Sequence, residues 1–246
     1  MRLLLPEARD LGVDDLLDLY DPGEAPLLRA GFVVPTDGGI ALDGGSRALQ
    51  TATDQAVFHA LRAVADAVVV GAGTARTEDY GPVRPRPAGQ AWRAARGLAP
   101  APPLVLVSRS LDLDPASRAF GGQSRTVVLT CAAAPAAARQ ALARVADVVV
   151  AGDADVDLRV AVSALHERGL SRLLCEGGPR LLTDLLRAGL VDELCLTLTP
   201  LLLGAAPGLL TAPLPAPVHL ELRHLVDGGE ALLARYAVVP GAVTPG

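Results

Sequence analysis

Two apolar runs in this chain break off in glycine: Val68-Val69-Val70-Gly71-Ala72-Gly73-Thr74 and Leu173-Leu174-Cys175-Glu176-Gly177-Gly178-Pro179. Glycine lets a backbone turn tightly and lets a ligand approach with no Cβ in the way. After the second run a helical pattern starts at once, with Pro179 suited to its first turn. Free N–H groups and the positive end of the helix dipole would then point at whatever lies over Gly177 and Gly178, which is the physics of pyrophosphate binding. A third run, Leu104-Val105-Leu106-Val107, ends in Ser108-Arg109. A hydroxyl beside a guanidinium suits a monophosphate, such as the 2′-phosphate that separates NADP from NAD. Taken singly, each glycine tip is equally consistent with an ordinary turn, and a lone Ser-Arg after a strand is more often a solvated turn. GAGTAR puts Arg76 where the dinucleotide fingerprint needs its third glycine, so no Rossmann motif is claimed.

Three adjacent tips require strands that run side by side in one direction. Alternating segments supply them: strands over 29–34, 66–71, 103–108, 125–130, 147–152, 171–178 and from 194, with helices over 54–65, 135–146, 160–169 and from 179. Thr53 is expected to cap the first of these helices. Residues 35–46 read as a turn-rich loop, and 81–103, dense in Pro, Arg and Ala, as a long surface loop. Two closing strands meet at Asp227-Gly228-Gly229. The expected fold is α/β, with a mixed, largely parallel sheet that ends in an antiparallel hairpin. Residues 1–28, with the acidic helical fragment VDDLLDLYD, form an amino-terminal arm, and 29–246 one domain.

With 246 residues, half of them hydrophobic but only 3% aromatic, the core must be aliphatic. A formal net charge of −5 argues against nucleic acid or an acidic membrane surface as partner. No apolar run is long enough for a membrane span and no signal peptide is visible, so a cytoplasmic location is expected. Three cysteines without a CxxC pair and four scattered histidines give no disulfide framework and no metal site.

Taken together, VVVGAGTARTEDYGPV, the strand ending VLVSRS, and LLCEGGPRLLTDLLRAGLVDELCLTLTPLLLG resemble the reductase domain of bacterial riboflavin biosynthesis, the 5-amino-6-(5-phosphoribosylamino)uracil reductase family. The likeness covers about residues 29–239 in order and is nearest to the stand-alone actinobacterial members. It implies a three-layer fold like that of dihydrofolate reductase and an NADPH-dependent reduction of a phosphoribosylamino-pyrimidine, in which a hydride reaches C1′ of the ribosyl group. The zinc deaminase of bifunctional relatives would need His-Ala-Glu and Pro-Cys-x-x-Cys motifs, and neither is present, so deaminase activity is not expected.

The resemblance also assigns residues. For the cofactor it implies Thr74 with Gly71 and Gly73, Glu78, Ser108, and the segment from Gly177 and Gly178 through Pro179, Arg180 and Leu181. Val33 and Ala48 follow as contacts made through backbone and apolar surface. Arg109 is added on charge grounds alone. For the substrate it implies Ser46, Arg62, Glu176 and Asp37, the last equally suited to fixing its own turn, with Arg84 or Arg86 as a second phosphate clamp. Charge-assisted hydrogen bonds make arginine the natural phosphate ligand. His59 is expected at a boundary rather than as an acid. The sequence departs from the family at Gly31 and Pro35, where Asn and Ser are usual; both face the substrate side, where lost hydrogen-bonding groups change substrate choice. Two other readings therefore stay open: reduction of a pteridine, a dihydrofolate-like compound or another heterocycle, and an NADP(H)-binding protein without turnover. The apolar closing hairpin is expected to offer an edge to a second copy, giving a homodimer.

Overall fold

The computed structural model describes residues 1–41, 45–204 and 206–239. Three residues of the expected 35–46 loop, 42–44, and the segment 240–246 lie outside the described residues. An eleven-stranded sheet runs through the molecule in the order β2-β1-β10-β11-β9-β3-β8-β4-β5-β6-β7. Its parallel part comprises β3 (Leu27–Pro35), β4 (Ala67–Gly71), β5 (Leu104–Val107), β6 (Thr126–Thr130), β7 (Ala146–Val150), β8 (Arg172–Cys175) and β9 (Glu193–Thr199). The hairpin of β10 (His219–Asp227) and β11 (Leu232–Val239) adds antiparallel to β9. The fold class expected from the alternating pattern is the one observed.

Side chains alternate across a strand, and both faces of this sheet are buried. Val68 and Val70 of β4 enter one core with Leu104, Leu106, Val128 and Leu174. Ala67 and Val69 enter the other with Val105, Val127, Leu129 and Leu173. Helices α1 (Asp15–Leu19), α2 (Ala52–Val64) and α4 (Pro87–Ala95) supply Leu16, Leu61 and Trp92 to the first core. Helices α6 (Leu158–His166) and α7 (Pro179–Arg187) supply Leu165 and Leu182 to the second. Helices α3 (Ala72–Thr77) and α5 (Ala136–Ala143) complete the set of α-helices among the described residues.

Several sequence expectations are corrected here. The amino-terminal segment is built into the sheet: β1 (Arg2–Leu5) pairs with β10 and with β2 (Arg9–Asp10), and Leu16 and Tyr20 are buried. A four-residue strand next to Pro6 is too short to show a period in sequence. The stretch 81–103 is not all loop. Its prolines mask α4, whose buried Arg93 donates to the carbonyls of Ala63, Ala65 and Ala99 and so caps the end of α2. A Cβ on Gly89 would lie 2.7 Å from that of Ala63, so the close α4–α2 approach depends on that glycine. The cap of α2 is Thr51, whose hydroxyl accepts from the Asp54 N–H at 3.1 Å; Thr53 instead donates to the Gly228 carbonyl at the hairpin turn, 3.1 Å away. The closing hairpin lies inside the sheet order, and β1 covers β10 only at Leu225–Asp227. Its open stretch is His219–His224, with Leu220 and Leu222 exposed.

His224, on β10, is 1% exposed, edge-on to Tyr20 with ring centroids 4.8 Å apart, and neither ring nitrogen has a partner among the described residues. Burial, reinforced by Arg235 and Arg29, pushes its pKa down to about 3. Below the ordinary histidine pKa the unfolded chain therefore binds a proton that the folded chain refuses, so stability falls as pH drops from about 6.5 towards about 3. Replacing His224→Phe keeps the ring contact and removes the proton. The gap between variant and wild-type urea midpoints should widen over that interval, by about 4 kcal/mol at its acid end as an order of magnitude. Parallel curves would show that His224 carries no such linkage.

Candidate active site

The cleft arises from unequal strand lengths. β3 pairs with β8 through Ala30–Cys175 and then continues alone beside β9 to Pro35. On the other side β4 runs on past Cys175 to Gly71. The chain leaving β8 turns at Glu176-Gly177-Gly178, leaving a notch at the carboxyl ends of the parallel strands, where ligands of open α/β sheets sit. A pocket of about 760 Å³ fills this notch and extends under α2, which lines it with Asp54, Val57, Phe58, Leu61 and Arg62 on one helical face.

The turn is locked to its neighbours. The Gly71 N–H donates to the Gly177 carbonyl at 2.7 Å, and the Gly177–Gly178 peptide is cis. A Cβ on Gly178 would collide with Thr74 Oγ1, and one on Gly177 would lie 3.0 Å from the Phe32 ring. Space at Gly73 is open. Helix α7 begins here with Pro179 in its first turn and no side-chain cap, so its free N–H groups face the notch.

Under α2, Glu176 is held from two sides. Arg62 Nε and Nη2 each donate to its carboxylate at 2.6 Å, and the Tyr80 hydroxyl donates at 3.0 Å. The guanidinium lies 4.0 Å from the Phe58 ring centroid. Burial works against the Arg62 charge and Glu176 more than restores it, leaving the arginine pKa raised. Burial and the nearby Glu176 carboxylate push the Tyr80 phenol well above its ordinary value, so it stays a donor. His59 beside them is pushed down by burial and by Arg86 and Arg62.

Of the residues assigned from sequence, Val33, Gly73, Thr74, Glu78, Gly178 and Pro179 line the pocket, as do Ser46, Arg62 and Glu176. Glu78 accepts from the Ser46 N–H at 2.7 Å and from its hydroxyl at 3.1 Å, so an assigned cofactor ligand and an assigned substrate ligand are bonded to each other. Gly71, Gly177 and Leu181 stand behind the notch as buried or half-buried supports, while Arg180 is exposed. Ser108 is buried at the tip of β5, where its hydroxyl accepts from the Leu111 N–H, and Arg109 is exposed beside it. The tips of β8, β4 and β5 are adjacent, as the three-tip reading requires.

Three residues fall elsewhere. Ala48 is exposed on a short 3-10 turn and does not line the pocket. Arg84 is exposed outside it; Arg118, paired with Asp79 at 2.6 Å, is the arginine on that wall. Asp37 turns away from the pocket and accepts the N–H groups of Leu203 and Gly204, at 2.6 and 2.8 Å, clasping two rim loops together. The Gly204 N–H in particular lowers its pKa. Sequence reasoning missed Tyr20, Asp54, Phe58, Tyr80 and Arg118, all on the pocket wall. Only the α2 pair carried a signal: Asp54 and Phe58 fall four residues apart beside the Val57–Leu61 stripe.

Residues 26–234 match the profile of the RibD C-terminal domain. The chain belongs to that family. It is 32% identical over 219 residues to the 2,5-diamino-6-ribosylamino-4(3H)-pyrimidinone 5′-phosphate reductase of Methanothermobacter thermautotrophicus, covering 87% of this chain and 98% of the relative. Among solved structures, a pyrimidine reductase-like protein from Corynebacterium diphtheriae superposes with a TM-score of 0.81 at 30% identity, over 93% of this chain and 99% of that one. A Thermotoga maritima deaminase/5-amino-6-(5-phosphoribosylamino)uracil reductase shares the fold, with a TM-score of 0.69 at 17% identity over 92% of this chain and 60% of that one.

The Glu176 side chain is 3% exposed. Removing its cation by Arg62→Ala leaves a buried carboxylate and should cost about 3–5 kcal/mol in urea denaturation. The double change Arg62→Leu with Glu176→Leu should recover most of that loss. A double variant as unstable as the single one would show that the pair itself is not the source.

Proposed function

We propose that this chain is an NADPH-dependent pyrimidine reductase of the riboflavin-biosynthesis type, reducing the ribosyl group of a phosphoribosylamino-pyrimidine to a ribityl chain. One observation carries the reading: a single pocket is lined both by a glycine notch at an uncapped helix start and by the Ser46, Arg62 and Glu176 set. The residues fit a nicotinamide dinucleotide. Gly178 approaches Thr74 so closely that a side chain there would fill the cradle, and the α7 N–H groups have no competing cap. The pyrophosphate would rest on Gly178 and the first turn of α7, and the adenosine end would run along the tips of β4 and β5. Ser108 and Arg109, about 10 Å from the notch at two strand spacings, would take the 2′-phosphate.

NADPH, where bound, supplies the hydride. The protein's part is to hold the acceptor carbon against the floor formed by Gly31, Phe32 and Val33, and to keep water out with the rim loops that Asp37 clasps. Glu176, fixed by Arg62 and Tyr80, presents a rigid acceptor for ribosyl hydroxyls, and Ser46 is oriented by Glu78. Gly31 leaves room where a larger residue would meet Leu61 and Leu174 at 3.4 and 3.6 Å. The same reading has the enzyme at work in the cytoplasm as a homodimer. In its support, no helix among the described residues is long and apolar enough to cross a membrane, and β10 has an open stretch, His219–His224, on which Leu220 and Leu222 are exposed.

Purified protein should oxidise NADPH when given 2,5-diamino-6-ribosylamino-4(3H)-pyrimidinone 5′-phosphate or its uracil counterpart, and no oxidation with either defeats the proposal. The change Arg109→Ala should raise the NADPH dissociation constant by about tenfold, as for one lost charge-assisted contact, and leave that of NADH unchanged. Equal losses for both cofactors would remove Arg109 from the 2′-phosphate subsite.

A further inference from the structure

The closed end of the pocket holds a carboxylate that the site described so far does not use. Asp54 sits in the first turn of α2, is 6% exposed and lines the cavity with Tyr20, Thr197 and Ala234. Among the described residues it enters no ion pair; Thr197 is the side-chain donor within its reach. Burial pushes its pKa up. The pocket's cations lie elsewhere. Arg62 is eight residues along the same helix, about 12 Å away, and Arg47 and Arg118 belong to the outer wall. A buried acceptor with so few partners is costly unless the ligand satisfies it.

We propose that Asp54 reads the substrate's ring: its two oxygens accept parallel hydrogen bonds from a ring N–H and the adjacent exocyclic amino group of a 2-amino-4-oxopyrimidine edge. This deepens the proposed function and rests on it for the identity of the substrate. The two candidate substrates differ at that edge. The diaminopyrimidinone presents N3–H beside a 2-amino group, two donors side by side that match a carboxylate. The uracil compound presents N3–H between two carbonyls, so that docking it brings a carbonyl oxygen against a carboxylate oxygen. A site built around polar partners rejects a ligand that leaves them unpaired far better than an apolar pocket rejects an extra methylene. The phosphate end of the substrate then points along the same face of α2, about two helical turns away towards Arg62.

The test compares wild type with Asp54→Asn, whose amide offers one donor and one acceptor in nearly the same volume. For wild type, kcat/KM should favour the diaminopyrimidinone over the uracil compound by about 100-fold or more, and Asp54→Asn should narrow the ratio to about tenfold or less. Calorimetric binding of 7,8-dihydropterin, which carries the same edge without a phosphate, should weaken by about tenfold in the variant. The variant's urea midpoint should not fall, since only a buried charge is removed. Turnover of both pyrimidines at a ratio that Asp54→Asn leaves unchanged overturns the role of Asp54 and leaves the reductase standing. No turnover of either, with dihydropterin binding still dependent on Asp54, ends the riboflavin-type reading and keeps the ring-reading residue. Neither turnover nor dihydropterin binding ends both.

Discussion

Parallel hydrogen bonding between β3, β8 and β4 places every glycine-ended tip at one end of the sheet. Because strands in a parallel ladder share a direction, a ligand crossing that end meets the carboxyl ends of several strands together with the amino end of α7. The shortness of β8 then does the rest. Its flanking strands run on while it stops, and the resulting notch is walled by backbone. That is why the site needs glycine at Gly178, where Thr74 leaves no space for a side chain, and tolerates little else there.

Inside the notch the charges are arranged by neutralisation rather than by display. Arg62 is spent on Glu176, Arg118 on Asp79, and Glu78 on the Ser46 N–H. The buried Arg62–Glu176 pair and the Glu78–Ser46 bonds fix their walls before any ligand arrives, which lowers the ordering cost of binding, while the Arg118–Asp79 pair is exposed. The groups left to recognise a ligand are mostly backbone amides, hydroxyls and one buried carboxylate. A protein of net negative charge can bind a phosphorylated ligand this way, since the recognition is local.

The parallel half of the fold was legible because short continuous apolar runs, bounded by glycine or other turn residues, leave few alternatives to strands buried on both faces. Residues far apart, such as Thr74 and Gly178, could be placed in one site because both follow such runs. What failed did so for identifiable reasons. Three prolines before Gly89 spoke for a loop, while Trp92 and Arg93, the residues that anchor α4, only make sense once α2 is beside them. Thr51 and Thr53 both suit a cap, and the choice turned on which hydroxyl the hairpin turn needed. Ala48 and Arg84 were carried over by likeness alone and lie on solvent. The spacing of Asp54 and Phe58 showed only a shared helix face; the meaning of Asp54 depends on Tyr20 and Thr197, which join it in the pocket from opposite ends of the chain.

The contact between Thr53 and the hairpin turn has a consequence for how this molecule can change. A Cβ on Gly228 would come within 2.6 Å of the Thr53 methyl and 3.0 Å of the Ala231 carbonyl. Any side chain at that turn must push the start of α2 away from the sheet, and Asp54 follows Thr53 directly. A turn remote from the glycine notch thus bears on the wall of the cavity, so drift at Gly228 is constrained by the seating of α2.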